Sequence, residues 1–431
     1  MDFQKANART AQFASQGLEL PYSEDLTILQ TPVTGDGFTA PNAFCIHPME
    51  GCDSTLSGSP DELTIRRYER FAKSGAGLIW VEAVAVHNDG RANPRQLCMT
   101  ADTYDGFARI REKISKDAAS AGHKQPVVVM QLTHSGRFSN HSGSHDPVCA
   151  WRHTSLDSRF QKQAETLPVS DDYLARIPEW YSAAARRAKT TGYDGVDIKC
   201  CHLYLFSELL SAYDRPGRYG GSFENRTRLF LECVEAAASE SPGILCSRLN
   251  VYDSMPMGFG VKTDGSLEID FDEPKRLVRM LANAGVRLID VTMGTPYFNP
   301  HVNRPYNSGG YTPPETAETG VARLLSGARM AAEADKRVRV VGTGFSQLAE
   351  AAAPVAAGCI EQGWLHFAGI GRLAFAYPDF PAHVFSDTVD EKKLCICCGK
   401  CTEIMRAGST AGCPVRDKIY AEIYKRDVLE R

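Results

Sequence analysis

Long apolar runs are missing from this chain of 431 residues, and none could span a bilayer. The first residues, MDFQKANARTAQFASQ, are polar and mixed in charge, and they lack the apolar segment of a signal peptide. The net charge of −4 at pH 7 is small, so it favours neither a nucleic-acid partner nor an anionic membrane surface. We therefore expect a cytoplasmic protein that binds neither nucleic acid nor membrane.

Cysteine, in contrast, is abundant, with 14 residues. A chain of this length without a secretory signal is not a small disulfide scaffold. Cys45, Cys98, Cys233 and Cys246 lie among apolar residues, so we expect them to pack as small core side chains. A cluster between residues 395 and 413 needs its own explanation.

Short β-branched or apolar runs alternate with longer amphipathic stretches from about residue 40 onward. Because strands joined through helices pair in parallel, eight such units predict a closed (β/α)8 barrel. An open, doubly wound sheet is the alternative, but no GxGxxG motif follows the first strand. The predicted strands are Ala43–His47, Gly77–Val81, Val127–Leu132, Gly195–Lys199, Gly243–Leu249, Leu288–Thr292, Val338–Gly342 and Trp364–Ala368.

Two long connections, residues 133–169 and 292–314, follow the third and sixth predicted strands. In such barrels the loops after the strands form the active-site face. The alternation stops near residue 386, so we expect a barrel over residues 1–385 and a separate C-terminal segment over residues 386–431. The predicted helices include Pro60–Ser74, Ser170–Thr191, Phe223–Ser239, Glu273–Ala284, Glu315–Ala334 and Ser346–Ala357.

Four of the clustered cysteines read C-x2-C-x2-C-x11-C, with a proline directly after the last. Three thiolates at this spacing, joined by a fourth from a later loop, are typical of [4Fe–4S] ligation. Zinc is the main alternative, but its sites usually take two separate C-x2-C pairs. We therefore expect an iron–sulfur cluster on Cys395, Cys398, Cys401 and Cys413, with Cys397 left as a non-ligand.

Lys199, His202 and Tyr204 leave the carboxyl end of the predicted fourth strand, where barrel enzymes place catalysis. Lysine and histidine can donate hydrogen bonds to a developing oxyanion, and tyrosine can deliver a proton. A single tyrosine there would more often be a packing residue. Three such side chains at one strand end indicate a catalytic site.

The segment Tyr219–Arg228 reads YGGSFENRTR and resembles the old yellow enzyme family, in its branch with 2,4-dienoyl-CoA reductase and trimethylamine dehydrogenase. The resemblance covers nearly the whole chain. It implies a flavin-dependent oxidoreductase that binds FMN in a (β/α)8 barrel.

The resemblance also implies which residues contact the flavin ring. Pro48, Met49 and Glu50 match the turn that lies against the flavin. Ala83 matches the second-strand residue that contacts the ring, and Gln131 matches the third-strand residue that bonds its pyrimidine edge.

Further matches concern the charged parts of FMN. Arg248 matches the arginine that faces N1 and the C2 carbonyl, where it would stabilise the charge of the reduced flavin. Gly342, Gly344, Gly371 and Arg372 match the phosphate-binding loops after strands seven and eight, a place where this fold commonly binds phosphate.

Two positions depart from the family pattern. Lys199 stands where many relatives have histidine and the amine dehydrogenase has tyrosine, and its charge suits a carboxylate, a phenolate or a polarised carbonyl. Glu50 stands where relatives often carry threonine or cysteine near flavin O4. A carboxylate there would disfavour the reduced anionic flavin unless it is protonated or turned away.

The resemblance implies an ene-reductase, in which Lys199 and His202 hold the activating oxygen of an alkene and Tyr204 protonates its α-carbon. Tyr297 and His301, on the loop after the sixth strand, are expected to complete the substrate pocket. An amine dehydrogenase or demethylase is the first alternative, against which the charge of Lys199 argues. An electron-transfer subunit of a larger complex is the second, and a zinc-stabilised barrel without flavin is a remote third.

Relatives with such cysteines continue into domains for FAD or ADP and a pyridine nucleotide, whereas this sequence ends about eighteen residues after Cys413. We therefore expect a ferredoxin, flavodoxin or diaphorase-like subunit to deliver electrons through the cluster. Direct reduction of FMN by NAD(P)H is the alternative, and a homo-oligomer is left open.

Overall fold

A computed structural model of the chain describes residues 1–240, 243–307 and 310–430. Residues 308 and 309, within the predicted long loop 292–314, lie outside the described residues. Eight parallel strands close into a barrel in chain order, and the last strand pairs with the first. The predicted barrel is therefore confirmed. Its strands, numbered β1–β8 here, are Phe44–Ile46, Leu78–Ala85, Val127–Thr133, Gly195–Ile198, Ile244–Asn250, Val286–Thr292, Arg339–Gly342 and Phe367–Ile370.

Helices cover the outside of the barrel and the loops above it. The longer ones are Phe3–Ala14, Glu62–Ala72, Tyr104–Ser120, Ile177–Thr190, Phe223–Ser239, Asp272–Asn283, Ala317–Ala334 and Ala352–Glu361. The shorter ones are Thr27–Gln30, Thr154–Asp157, Gln161–Glu165, Asp171–Leu174, Leu205–Leu210, Pro300–Asn303, Arg372–Ala376, Phe380–Phe385, Lys400–Arg406 and Lys418–Tyr424. Short 3₁₀ turns are Asn88–Gly90, Gly136–Phe138, Phe345–Gln347, Ala349–Ala351 and Glu391–Lys393, and Lys425–Leu429 is a π-helical turn.

The lower part of the barrel is filled by apolar side chains. Cys45, Trp80 and Cys246 belong to one buried cluster, which Phe38 joins from the antiparallel hairpin Val33–Ala40. The hairpin also bonds to residues at the starts of β6 and β7, so it lies at the amino-terminal end of the barrel. A filled lower half leaves the carboxyl end of the strands for a ligand.

Two predicted elements have different bounds for local reasons. The predicted helix Ser170–Thr191 is divided because Pro178 has no N–H and would clash with the carbonyl four residues earlier, so a new helix starts at Ile177. Trp364 was placed in the last strand, but its N–H donates to the Cys359 carbonyl in the turn that ends a helix. Gly363 makes this turn with φ of +69°.

The predicted helix Ser346–Ala357 also differs. It begins as two 3₁₀ turns and becomes α-helical only from Ala352. The other predicted strands begin within two residues of the observed starts and end within four residues of the observed ends. The cysteines expected in the core, Cys45, Cys98, Cys233 and Cys246, are all buried.

Of the predicted C-terminal segment, residues 386–430 pack on the carboxyl end of the barrel. The carboxylate of Asp417 accepts hydrogen bonds from Arg66 at 2.8 Å and Arg70 at 2.5 Å. The hydroxyl of Thr410 donates to the Gly51 carbonyl at 2.9 Å, just beyond β1. These bonds hold the segment over the strand ends. Within the described residues no helix is long and apolar enough to cross a membrane.

Candidate active site

A cavity of about 370 Å³ lies at the carboxyl ends of the strands, which is the size of a small-molecule site. All eight strands or the residues directly after them contribute to its walls. The predicted residues that line it are Pro48, Met49, Glu50, Ala83, Gln131, Lys199, His202, Tyr204, Arg248, Tyr297, Gly344, Gly371 and Arg372. Residues that are separated by more than 300 positions in the sequence thus meet in one place.

The end of β4 carries an unusual turn. His202 and Leu203 are consecutive left-handed residues, with φ of +65° and +56°. Such backbone costs free energy in residues other than glycine and is frequent at functional sites. The turn brings Tyr204 to the cavity wall, where its ring is only 2% exposed. The Nζ atom of Lys199 lies 4.0 Å from the centre of that ring.

The charges at the end of β4 are set by burial. Burial lowers the pKa of Lys199 below its usual value. Burial and the nearby positive charge of Lys199 lower the pKa of His202 well below its usual value, so the imidazole is neutral at pH 7. The side-chain amide of Asn303 lies 3.3 Å from His202 Nε2 and donates to it. Because an amide nitrogen can only donate, this contact favours the tautomer with the proton on Nδ1.

Tyr204 has a second tyrosine as its partner. The hydroxyl oxygens of Tyr204 and Tyr297 are 3.0 Å apart. The ring of Tyr297 stacks on Phe138 with 3.8 Å between centroids and 10° between planes. The hydroxyl of Thr295 accepts from the Tyr297 N–H and donates to the His202 carbonyl, which ties the loop after β6 to the end of β4.

Buried carboxylates hold the polar side chains at the cavity floor. Asp197 accepts from Gln131 Nε2 at 2.6 Å and from Trp80 Nε1 at 2.9 Å. Arg248 Nε lies 3.0 Å from Asp290 Oδ2. Burial raises the pKa of Asp197 to about 6 and that of Asp290 to about 7. The amide of Gln131 is thus oriented by a hydrogen bond to Asp197, and the guanidinium of Arg248 lies beside Asp290 as an ion pair.

Glu50 lines the wall near β1. Its carboxylate accepts from Asn93 Nδ2 at 2.6 Å, and its withdrawal from solvent raises its pKa. The positive charge of Lys199 opposes that shift. A raised pKa favours the protonated form, which is one of the two conditions under which a glutamate here is compatible with a reduced anionic flavin.

The opposite end of the cavity is formed by the loops after β7 and β8. Gly344 has φ of +107°, which side-chain-bearing residues rarely adopt. A Cβ atom on Gly371 would lie 2.9 Å from Met49 Sδ, so a larger residue would press on the turn after β1. The Leu373 N–H donates to Ser346 Oγ and connects the two loops. The guanidinium of Arg372 lines this end.

A second, smaller cavity adjoins the first and is lined by Cys395, Cys397, Cys398, Cys401 and Cys413. Both cavities share Arg372, Phe375 and Cys401 in their walls. Cys397 Sγ donates to the Ser346 carbonyl at 3.2 Å. Among the described residues, no group of three or more His, Cys, Asp or Glu is placed to hold a metal ion.

His301 is not among the residues that line the main cavity. It lies in the short helix Pro300–Asn303, and its Nδ1 is 2.5 Å from the hydroxyl of Tyr311. Two residues later, Asn303 does line the cavity, and sequence reasoning missed it. The only available signal was its position on the long loop after β6, because an isolated asparagine carries no motif.

The C-terminal segment supplies a further part of the wall that sequence reasoning missed. Thr402, Met405, Arg406 and Ala411 line the cavity. Arg304, on the loop after β6, donates to Thr402 Oγ1 at 2.6 Å and so closes the wall. The segment with the cysteines is therefore part of the site itself.

Comparison with known proteins now adds to this geometry. Residues 30–311 match the NADH:flavin oxidoreductase / NADH oxidase family. The chain belongs to this family. It is 32% identical to an NADPH dehydrogenase of Bacillus pumilus over 62% of this chain and 74% of the relative. It is 28% identical to NADH:flavin oxidoreductase FG08077 of Gibberella zeae over 61% of this chain and 66% of that protein. The predicted placement in the old yellow enzyme family is confirmed.

Solved structures share the fold. A 2-naphthoyl-CoA reductase complex matches with a TM-score of 0.74 at 18% identity, over 92% of this chain but 58% of that chain. Histamine dehydrogenase from Rhizobium sp. 4-9 matches with a TM-score of 0.67 at 20% identity, over 90% of this chain and 52% of that one. Morphinone reductase matches with a TM-score of 0.62 at 20% identity, over 88% and 94%. The chain thus spans little more than half the length of two of these proteins.

Proposed function

We propose that the chain is an FMN-dependent ene-reductase that carries a [4Fe–4S] cluster. In this proposal residues 1–385 bind FMN and substrate, and residues 386–431 bind the cluster. The observation that carries it is the meeting of Lys199, His202 and Tyr204 with a pre-oriented polar floor in one cavity.

The polar groups of the cavity fit FMN. The amide nitrogen of Gln131 is engaged by Asp197, so its carbonyl oxygen is the atom left to accept from the N–H of the flavin pyrimidine ring. Arg248 provides a cation next to the position of N1 and the C2 carbonyl, and Asp290 holds it there. Arg372 and the loops at Gly344 and Gly371 would bind the phosphate.

The reaction then divides between cofactor and protein. Bound FMN, once reduced, would supply a hydride to the β-carbon of an alkene that is activated by a carbonyl or carboxyl group. Lys199 and His202 Nδ1 hold the activating oxygen and stabilise the charge that develops on it. Tyr204 gives its hydroxyl proton to the α-carbon. The low exposure of Tyr204 keeps bulk water away from that step.

Lys199 also argues against the amine dehydrogenase alternative. A site for a cationic amine needs an open aromatic face. Here the Nζ atom of Lys199 already occupies the face of Tyr204, at 4.0 Å from the ring centre. A second cation beside it would be repelled, whereas an oxyanion would be attracted.

The cysteine quartet supports the cluster. Cys395, Cys398, Cys401 and Cys413 all line one cavity next to the FMN site. In a cubane each thiolate binds a different iron atom, so the four sulfurs stand further apart than the ligands of a single ion. The lack of a single-ion site among the described residues is therefore compatible with this proposal.

The shared wall of the two cavities suggests the route of electrons. A cluster beside Arg372 and Cys401 would lie next to the FMN site. We propose that a ferredoxin, flavodoxin or diaphorase-like protein donates electrons through it, with direct reduction by NAD(P)H as the alternative. Anaerobic reduction by a reduced ferredoxin, compared with NADH and NADPH, distinguishes the two.

The proposed activity is tested by reaction of the photoreduced enzyme, under anaerobic conditions, with a panel of enones, enoates and enoyl thioesters. Flavin absorbance should recover with at least one activated alkene. The oxidised enzyme is mixed with methylated amines in parallel. If no alkene reoxidises the flavin while an amine reduces it, the proposal is wrong.

A further inference from the structure

The hydroxyl of Tyr204 has one tyrosine neighbour on the side away from β4, namely Tyr297. Their oxygens lie 3.0 Å apart, at hydrogen-bonding distance, and either can be the donor. Tyr204 is 2% exposed and belongs to the buried wall of the cavity. Tyr297, on the loop after β6, is only partly buried.

We propose that Tyr297 is a proton relay that returns a proton from solvent to Tyr204 during turnover. This inference rests on the proposed ene-reductase function, in which Tyr204 protonates the α-carbon. A buried tyrosine that gave up its proton alone would become a charged group, which burial disfavours, so a second donor that replaces the proton as it leaves makes the step easier. Ser135 is also beside the Tyr204 hydroxyl but is fully buried, whereas Tyr297 is partly exposed and has its O–H at hydrogen-bonding distance.

The proton balance is simple. The Tyr204 O–H bond breaks as the C–H bond at the α-carbon forms. In the same step the Tyr297 O–H bond breaks as the Tyr204 O–H bond is restored, and Tyr297 then regains a proton from water. The net change is uptake of one proton from solvent, in addition to the two electrons and the proton delivered as hydride.

The loop that bears Tyr297 is built to hold this geometry. Tyr297 stacks on Phe138 at 3.8 Å and 10°, which fixes the plane of its ring. Thr295 bonds both the Tyr297 N–H and the His202 carbonyl. Thr295 therefore connects the relay residue to the end of β4. A residue that only packed against substrate would not need its hydroxyl fixed to that of Tyr204.

The test compares the variants Tyr297→Phe, Tyr204→Phe and the double variant, each loaded with FMN. Tyr297→Phe keeps the ring and its stack on Phe138, so it removes the hydroxyl alone. Tyr311→Phe is the matched control, because Tyr311 is on the same loop but its hydroxyl bonds His301 and not a cavity residue. Thermal unfolding of the FMN-free proteins should agree with the wild type within about 3 °C.

Alkene-dependent reoxidation of the flavin should slow about tenfold in Tyr297→Phe, while flavin reduction is unchanged. Because the two hydroxyls act in series, the double variant should be no slower than Tyr204→Phe alone. In mixtures of H₂O and D₂O, a plot of the wild-type rate against deuterium content should be curved, because two protons move in the step. The dependence in Tyr297→Phe should be linear.

Wild-type rates in Tyr297→Phe, or losses that multiply in the double variant, would overturn the relay while the proposed function stands. A slow Tyr297→Phe with an unchanged curved isotope dependence would also overturn it, since the residue would then act only through structure. If no alkene reoxidises the wild-type flavin, the proposed function and the relay fail together.

Discussion

Lys199 lies over the face of Tyr204, with its Nζ atom 4.0 Å from the ring centre. The contact joins one of the two residues that depart from the family pattern to the proposed proton donor. A buried cation there favours an anionic oxygen in substrate and stabilises the tyrosine after it loses its proton. This pair is the basis of the substrate preference and of the first two predictions.

Replacement of Lys199 by methionine removes the charge and keeps most of the side-chain volume. Alkene reduction should fall by about 10²–10³, as for the loss of an oxyanion-binding donor. Flavin reduction by dithionite should not change. Stopped-flow measurement of both half-reactions checks this, with Lys336→Met on the surface as the control. Equal slowing of both half-reactions would show that Lys199 acts on the flavin rather than on substrate.

The depressed pKa of Lys199 predicts a particular pH dependence. Burial disfavours the ammonium, so Lys199 loses its proton at a lower pH than a free lysine does. Alkene reduction that depends on the cation should therefore decline as pH rises through this lowered pKa, below the usual lysine range. The pH profile of kcat/KM should lose this alkaline limb in Lys199→Met. A limb that survives in the variant belongs to another group.

Glu50→Gln mimics the protonated carboxyl. The raised pKa of Glu50 means that the neutral form persists to a higher pH than for a free glutamate. The reduction potential of bound FMN should match between Glu50→Gln and wild type at low pH. Above the pKa of Glu50 the wild-type potential should fall below that of the variant, because the carboxylate then opposes the reduced anionic flavin. Spectroelectrochemistry across pH tests this prediction. A constant difference between the wild-type and variant potentials at every pH would contradict it.

Gly369→Ala tests the tight packing inside the barrel mouth. A Cβ atom at position 369 would lie 1.7 Å from His47 Nε2 and 2.8 Å from the Gly342 carbonyl oxygen. The neighbouring backbone cannot yield easily, so we expect a loss of about 1–3 kcal/mol in unfolding free energy and weaker FMN retention. Gly310→Ala, with no atom within 4 Å of the new Cβ, is the control. Chemical denaturation measures both, and equal stabilities would contradict the clash.

Asp417→Asn tests how the cysteine segment is docked. The Asp417 carboxylate is buried between Arg66 and Arg70, and loss of its charge leaves both arginines without their partner. Hydrogen exchange in residues 386–431 should increase, and protection in β1–β8 should stay as in wild type. Exchange that rises throughout the barrel would show that the segment and the barrel unfold as one unit.

The strand order and the strand ends were predictable because each barrel strand is a short buried run with a distinct flank. The break before Ile177 followed from Pro178, a local signal that the prediction overlooked. The wall formed by Thr402, Met405 and Arg406 was not predictable. Its position depends on long-range bonds such as Asp417 with Arg66, which leave no pattern in the sequence.

Contacts between side chains within the site were also not predictable from the sequence. Tyr297 could be assigned to the loop after β6 from the sequence, but its hydroxyl bond to Tyr204 joins residues 93 positions apart. His301 was predicted beside it, yet it faces Tyr311. Loop residues of this kind are placed by packing between elements and not by local periodicity.

The proposed function makes Tyr204 the proton donor in the reduction of an activated alkene in this cavity. The most direct measurement is an anaerobic single turnover of photoreduced wild type and Tyr204→Phe with the best alkene of the panel, with product quantified alongside flavin absorbance. We predict one saturated product for each FMN in the wild type, formed about 10²-fold faster than in the variant, with equal rates of flavin reduction. Flavin reoxidation without saturated product, or equal rates in both proteins, would contradict the account.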